Sequence, residues 1–539
     1  MRIFITTTLW LLITALPPLY SQAHDHASTE TLGRVTFGTS CNPVVQPQFN
    51  RAVALMHSFQ FGSALQGFHS VLEADPTCGI ADWGIALSSW GNPFAGFKSP
   101  VQMEQGLRAV EQGHALAPRT ERERAYLDAV AHLYTGGVHF DQTKRVLAYE
   151  HSMAALSAAY PDDTEATIFY ALALAAAADP SDKSYAKQLK AGALLEKLFL
   201  KYPDHPGLAH YIIHAYDEPA LAPRAAEAAR RYGEIAPSTP HALHMPSHTF
   251  TRVGSWQASI DTNTSSAAAA RAAHQPADVL HANDYMVYAY LQTAQDEAAK
   301  RLVDSSAQTF LTFDPAHATG AAPASAAYFA RAAIPARYCL ERQTWADAAK
   351  LEILPSPFPY ADAITYFTRG LGAAHLKDRP AVNAAIRSLA QIRDKLTQAK
   401  EDYWANQIEI DRQKLVAMLG LIKGRKTEAL TGIRRAVEME DKTETASVTP
   451  GPLKPAREML GELLLQMNQP SEALTEFQAS LKKEPNRFWS LYGAAKAAEL
   501  TGDREKASLY FQQLLTVAQR ADQPGRPELA EMRNSIRSN

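Results

Sequence analysis

Residues 62–76 read GSALQGFHSVLEADP, and the placing of Ala64, Phe68 and Pro76 in that stretch decides the fold. Ala64 and Phe68 are four apart, so on a helix they share one face. The small residue lets a second helix approach, and the aromatic one turn further on fills the pocket between the two. Pro76 ends the helix, because its ring cannot continue the hydrogen-bond ladder. The arrangement recurs near the other end of the chain, as PSEALTEFQASLKKEP with Ala473, Phe477 and Pro485, and as GDREKASLYFQQLL with Gly502, Ala507 and Phe511. No run alternates apolar and polar residues as a half-buried strand would. The chain is therefore expected to be all-α, built of antiparallel helix hairpins. No single hairpin can bury its apolar face alone, so stacking has to supply the core.

These segments resemble tetratricopeptide repeats, whose period is 34 residues. The resemblance implies a helical-hairpin solenoid wound as a right-handed superhelix, with a concave groove in which such repeats usually bind their ligands. The chain is also similar, over most of its length, to a group of exported bacterial tetratricopeptide proteins that share the segments HAYD (214–217) and HMPSH (244–248). That likeness supports the fold and carries no activity with it.

The first 23 residues have one positive charge, at Arg2, an apolar stretch from about Ile3 to Leu19, and the small-residue approach Ser21-Gln22-Ala23. They read as a signal peptide, and the mature chain is expected to be periplasmic or secreted. No later stretch is long and apolar enough to span a bilayer. Residues 24–40 are expected to form a flexible tail and 41–353 the amino-terminal superhelix. The three prolines of LPSPFPY make 354–360 a linker, and 361–539 carry the carboxy-terminal repeats. DKTETASVTPGPLKP, 441–455, reads as an ordered loop, although Pro450-Gly451-Pro452 is equally compatible with a flexible turn. Cys41 and Cys78 flank the first repeat and can close a disulfide in an oxidising compartment. Sequence does not decide whether they do, and Cys339 has no mate.

Charge narrows the partners. With 53 basic against 56 acidic side chains in 539 residues, nothing points to a nucleic acid. Hydrophobic residues at 46% and charged residues at 20% give a chain able to bury a large core. RTERERAY, 119–126, is a solvated helix face, and Trp83, Trp90 and Phe94 are core and turn packing, with Trp90 and Asn92 placed to line a groove entrance.

The chemistry concentrates in the middle. Eight of the 18 histidines lie between His205 and His281. His210 and His214 are spaced i, i+4 and recur one repeat later as His244 and His248. Each pair leaves one helix face and can converge on one bound atom. Laying the repeat pattern on VGSWQASI implies that His241, His244 and His248 face the groove, with His210, His214 and Asp217 beside them. The next repeat adds His281 and Asp284. Neutral imidazole is the commonest transition-metal ligand, and helices 8–10 Å apart allow two histidines to share an ion. Asp217 or Asp284 then completes the shell or orients an imidazole. Nitrogen and oxygen donors without thiolate favour zinc, copper, nickel or iron. Glu218, Arg252, Tyr285 and Tyr288 are the expected ligand-binding neighbours.

Three functions follow. The first is a groove that binds a divalent transition metal or small ligand. The second is a metal-free scaffold gripping a protein or peptide in the groove. The third is a metal-dependent hydrolase or oxidoreductase with Glu218 or Asp284 as general base. HExxH, G-x-S-x-G and P-loop patterns are all missing. Ser247 cannot serve His248 as a nucleophile, because adjacent helical residues diverge by about 100°. Cleavage after Ala23 exposes His24-Asp25-His26, a square-planar copper or nickel chelate or else a plain polar tail.

Overall fold

The computed structural model describes residues 30–538, apart from 97, 117–118, 137–140 and 319. The expected signal peptide and the His24-Asp25-His26 terminus lie outside the described residues. Among them the only regular elements are helices, stacked as hairpins into an all-α solenoid.

The deciding stretch behaves as its sequence requires. Phe61–Ala74 is a helix with Ala64 and Phe68 fully buried. It packs on the helix Ile80–Trp90, where the Phe68 ring lies over Gly84; a β-carbon there would meet the ring at 2.4 Å. At the far end Phe477, on the helix Pro470–Lys483, covers both Gly461 and Gly493 in the same way. Aromatic over glycine is the recurrent joint that lets neighbouring helices approach.

The turns repeat as closely as the joints. At ten of them one residue takes a left-handed conformation, from Phe59 (φ 54°) through Gly254, His274, Ala294 and others to Gly502 (φ 81°). The amide of the next residue donates back to a carbonyl five residues earlier, at 2.7–3.0 Å, as in Ser255 to Phe250, Gln275 to Ala270 and Asp503 to Ala498. This six-to-one bond is the Schellman motif, which satisfies carbonyls that a helix end would leave bare.

Residues 30–40, expected within a flexible tail, are instead packed. Phe37 is fully buried against Phe49, Trp83 and Tyr126, and the Ser40 hydroxyl donates to Glu123. Burying an aromatic of that size contributes roughly 2–3 kcal/mol toward ordering the segment. Cys41 and Cys78 are joined by a disulfide, and Cys339 is free and buried.

The helix Pro359–His375 starts inside the proline-rich stretch 354–360, and one apolar cluster runs from Leu340 across it to Phe367. The carboxy-terminal repeats also fold back onto the middle of the chain. The Trp256 Nε1–H donates to the Asn486 carbonyl at 2.8 Å, and Arg526 pairs with Asp296. No helix among the described residues is long and apolar enough to cross a membrane.

Candidate metal centre

Four helices carry the histidines. Pro206–Ala215 brings His210 and His214, Pro240–His244 brings His241 and His244, Pro246–Arg252 brings His248, and Pro276–Gln292 brings His281. Pro246 has no amide hydrogen and breaks the ladder between the second and third of these, so His244 and His248 flank a joint.

The six imidazoles fall into two sets of three. His210, His214 and His241 form one, His244, His248 and His281 the other, and within each set the ligand atoms lie within 4.8 Å of one another. The sets abut. Ring centroids of His241 and His244 are 6.0 Å apart and those of His214 and His248 6.2 Å, no farther than rings within a set. Each sequence pair is therefore joined by a third histidine, His241 for the first and His281 for the second.

Hydrogen bonds fix the tautomers on which the chemistry depends. The His244 Nδ1–H donates to Asn263 Oδ1 at 2.6 Å. The Asn263 amide is itself oriented, because its Nδ2 donates to the Ser259 carbonyl. The His248 Nδ1–H donates to Asp217 Oδ2 at 2.8 Å. In neutral imidazoles both Nε2 atoms are then bare lone pairs, and they face each other at 3.1 Å. In the first set the His210 Nδ1–H donates to the His57 carbonyl at 2.6 Å, which leaves its Nε2 bare 3.1 Å from His241 Nε2. Both ring nitrogens of His214 are buried and without a partner.

Five of these imidazoles are held toward the neutral form. Burial above all pushes His210 and His281 down to about 3. It holds His214, His241 and His244 well below the usual range, and the neighbouring imidazoles add to the effect.

Other expected site residues divide. Asp217 orients His248 and is bound by Arg252 Nε at 3.1 Å, a supporting carboxylate and not a member of either set. Tyr285 lies over the second set, its ring 5.0 Å from His244 and 4.9 Å from His248, while its hydroxyl donates to the Ser447 carbonyl. Asp284 is not at the site. Arg337 takes both its oxygens, at 2.7 and 3.2 Å, which commits it as an ion-pair partner. Tyr288 is also elsewhere, between Glu484 and Arg487. Glu218 faces Glu444, and burial followed by that repulsion pushes its carboxyl up. That surrounding favours the protonated form of Glu218 over the general base expected of it.

Five of the six histidines are buried and His281 is half-buried. Segment 443–455 is tied to residues around the site: Glu444 binds Lys183 and Tyr185, the Pro450 carbonyl accepts from Arg252, and Thr449 and the Gly451 carbonyl accept from Arg337.

Several contributors were invisible in the sequence. Phe59 stacks on His241 and His214, and Phe94 stacks on His214 with centroids 4.1 Å apart. His57, whose carbonyl orients His210, is held by Glu165, which also binds His205. Burial works to raise the Glu165 carboxyl, but His205 and His57 outweigh it and hold it at about 2. Glu165 and His205 also form part of the wall of a surface cleft of about 870 Å³. Only distance along the chain hid these residues. A histidine next to a helix end, as His57 is, was the one available signal.

No protein-family model and no curated protein sequence matches the chain. Among solved structures it is similar to the human IFIT1 dimer with PPP-AAAA, at 10% identity and a TM-score of 0.35, covering 78% of this chain and 87% of that one. It is similar also to the APC/C hetero-tetramer Cut9–Hcn1, at 10% identity and a TM-score of 0.36, covering 91% and 76%. At these scores the likenesses carry no argument about function.

Proposed function

We propose that this protein binds transition-metal ions in its paired three-imidazole sites, each of which leaves a coordination position open for a small ligand. One observation carries the reading: the bare Nε2 lone pairs of His244 and His248 point at each other across 3.1 Å. Two acceptors that close repel one another unless a proton or a metal ion lies between them, and a site of six such donors favours the metal. The spacing is near the roughly 3.3 Å edge of a tetrahedral shell with bonds of about 2.0–2.1 Å. Six imidazoles without thiolate suit zinc, copper, nickel or iron.

The metal-free scaffold reading has less support, because it gives no role to the closely opposed Nε2 atoms. Export of the chain fits the Cys41–Cys78 disulfide, since such bonds persist in oxidising compartments.

Elemental analysis of the untagged protein tests the reading, beside a His244→Ala/His248→Ala variant checked for fold by circular dichroism. Near-stoichiometric metal in the parent and its loss from the folded variant are expected. A parent that takes up none of the four metals on reconstitution overturns the proposal.

A further inference from the structure

The charge balance around the six imidazoles is unusual for a two-ion site. Imidazole ligates a metal as a neutral donor, and the carboxylates of Asp217 and Asp284 bring no unpaired negative charge. Asp217 is neutralised by Arg252 and Asp284 by Arg337. All four of these side chains are buried. Two divalent ions would place four uncompensated positive charges in a dry interior, and the cost of burying charge rises with its square. Two monovalent ions halve the charge and cut that cost about fourfold. Among imidazole-binding first-row metals, copper is the one with a stable monovalent state.

The surroundings are apolar to match. Phe59 and Phe94 stack on the first set and Tyr285 covers the second. Behind Phe59 lies a cavity of about 30 Å³ lined by Met56, Phe61, Trp90, Phe169 and Tyr211. None of the six imidazoles lines it, and it extends the apolar surroundings behind the Phe59 ring.

Resting on the two-ion reading, we infer that the centre holds a pair of copper(I) ions and that its small ligand is dioxygen, bound between them. The electron balance is closed within the site. Each copper(I) gives one electron and becomes copper(II), and dioxygen takes both as the peroxide dianion. No proton or external reductant enters. The added charge of two on the metals is cancelled by the dianion, so the buried net charge is the same before and after. A low-dielectric site with no carboxylate of its own tolerates a two-electron change on this condition.

The test uses the whole mature chain. It is stripped with chelator, titrated with cuprous ion without oxygen, and then exposed to dioxygen in an oxygen-electrode cell. Expected are about two copper ions bound per chain and about one dioxygen consumed per copper pair. A new charge-transfer band should appear, with no copper(II) paramagnetic signal because the two spins couple. The band should fade under argon. A His281→Ala variant, missing one ligand of the second set, should keep about one copper and consume no dioxygen. Copper bound without dioxygen uptake, or zinc displacing cuprous ion at equal concentration, overturns this inference and leaves the metal-binding proposal standing. Failure to bind any metal ends both.

Discussion

His244 and His248 meet Nε2 to Nε2 at 3.1 Å because each has its other nitrogen occupied, one by Asn263 and the other by Asp217. While both rings are neutral, neither can turn a hydrogen toward the other without surrendering a buried bond. The arrangement sets two donors at one point before any ion arrives.

Asn263 is the least replaceable part of that support, since its amide is fixed at both ends. Asn263→Ala should leave the helix Trp256–Ala272 intact and free the His244 ring to choose its tautomer. Metal affinity should fall about 10- to 100-fold, read by competition against a chromogenic chelator. Unchanged affinity in a folded variant would show that Asn263 orients nothing.

Stability of the metal-free protein should depend on acid with a definite sign. His210 and His281 titrate near 3 in the folded chain against 6.5 for the ordinary imidazole. Between those values the unfolded chain binds protons that the folded chain does not. Stability is therefore full above pH 6.5 and falls as pH drops through the window to about 3, by ~1.4 kcal/mol per pH unit for each imidazole. Urea denaturation at about pH 7 and about pH 5 checks this. A midpoint that does not move between them would mean that these histidines are not buried as neutral groups.

The repeated turn offers a stabilising change. Lys377 and Lys400 both hold φ at 60°, a conformation that costs an L residue about 1 kcal/mol or more and glycine nothing. Lys377→Gly and Lys400→Gly should each gain up to about 1 kcal/mol, less the extra freedom of glycine in the unfolded chain. Thermal melts should show a small upward shift, and a fall would contradict the left-handed assignment.

Reduction of the Cys41–Cys78 bond, which spans 37 positions, should cost about 4 kcal/mol on the loop-entropy estimate. A Cys41→Ser/Cys78→Ser variant should unfold at lower denaturant than the oxidised parent. Equal midpoints would show that the bond does not form in solution.

The helical hairpins were legible because their signals are local: Ala64 and Phe68 are one turn apart, and so are Ala473 and Phe477. Four of the six imidazoles were legible for the same reason, as two i, i+4 pairs a repeat apart. What assigns the acids is not local. Asp284 stands one turn from His281 and reads as its companion, yet Arg337, 53 positions on, takes it away. His57 orients His210 from 153 positions upstream, and nothing in either segment announces the other. The tail at 30–40 looked free because the aromatics that bury Phe37 come from three separate helices.

The Pro450 carbonyl reaches Arg252 across 198 positions of sequence, and this has a consequence for synthesis. All six imidazoles are translated before segment 443–455. On the metal-binding proposal, an ion that meets the chain before 443–455 is in place encounters fewer contacts around the site, and one that meets it afterwards exchanges as often as that segment lifts. A chain loaded late should fill slowly and, once filled, empty slowly.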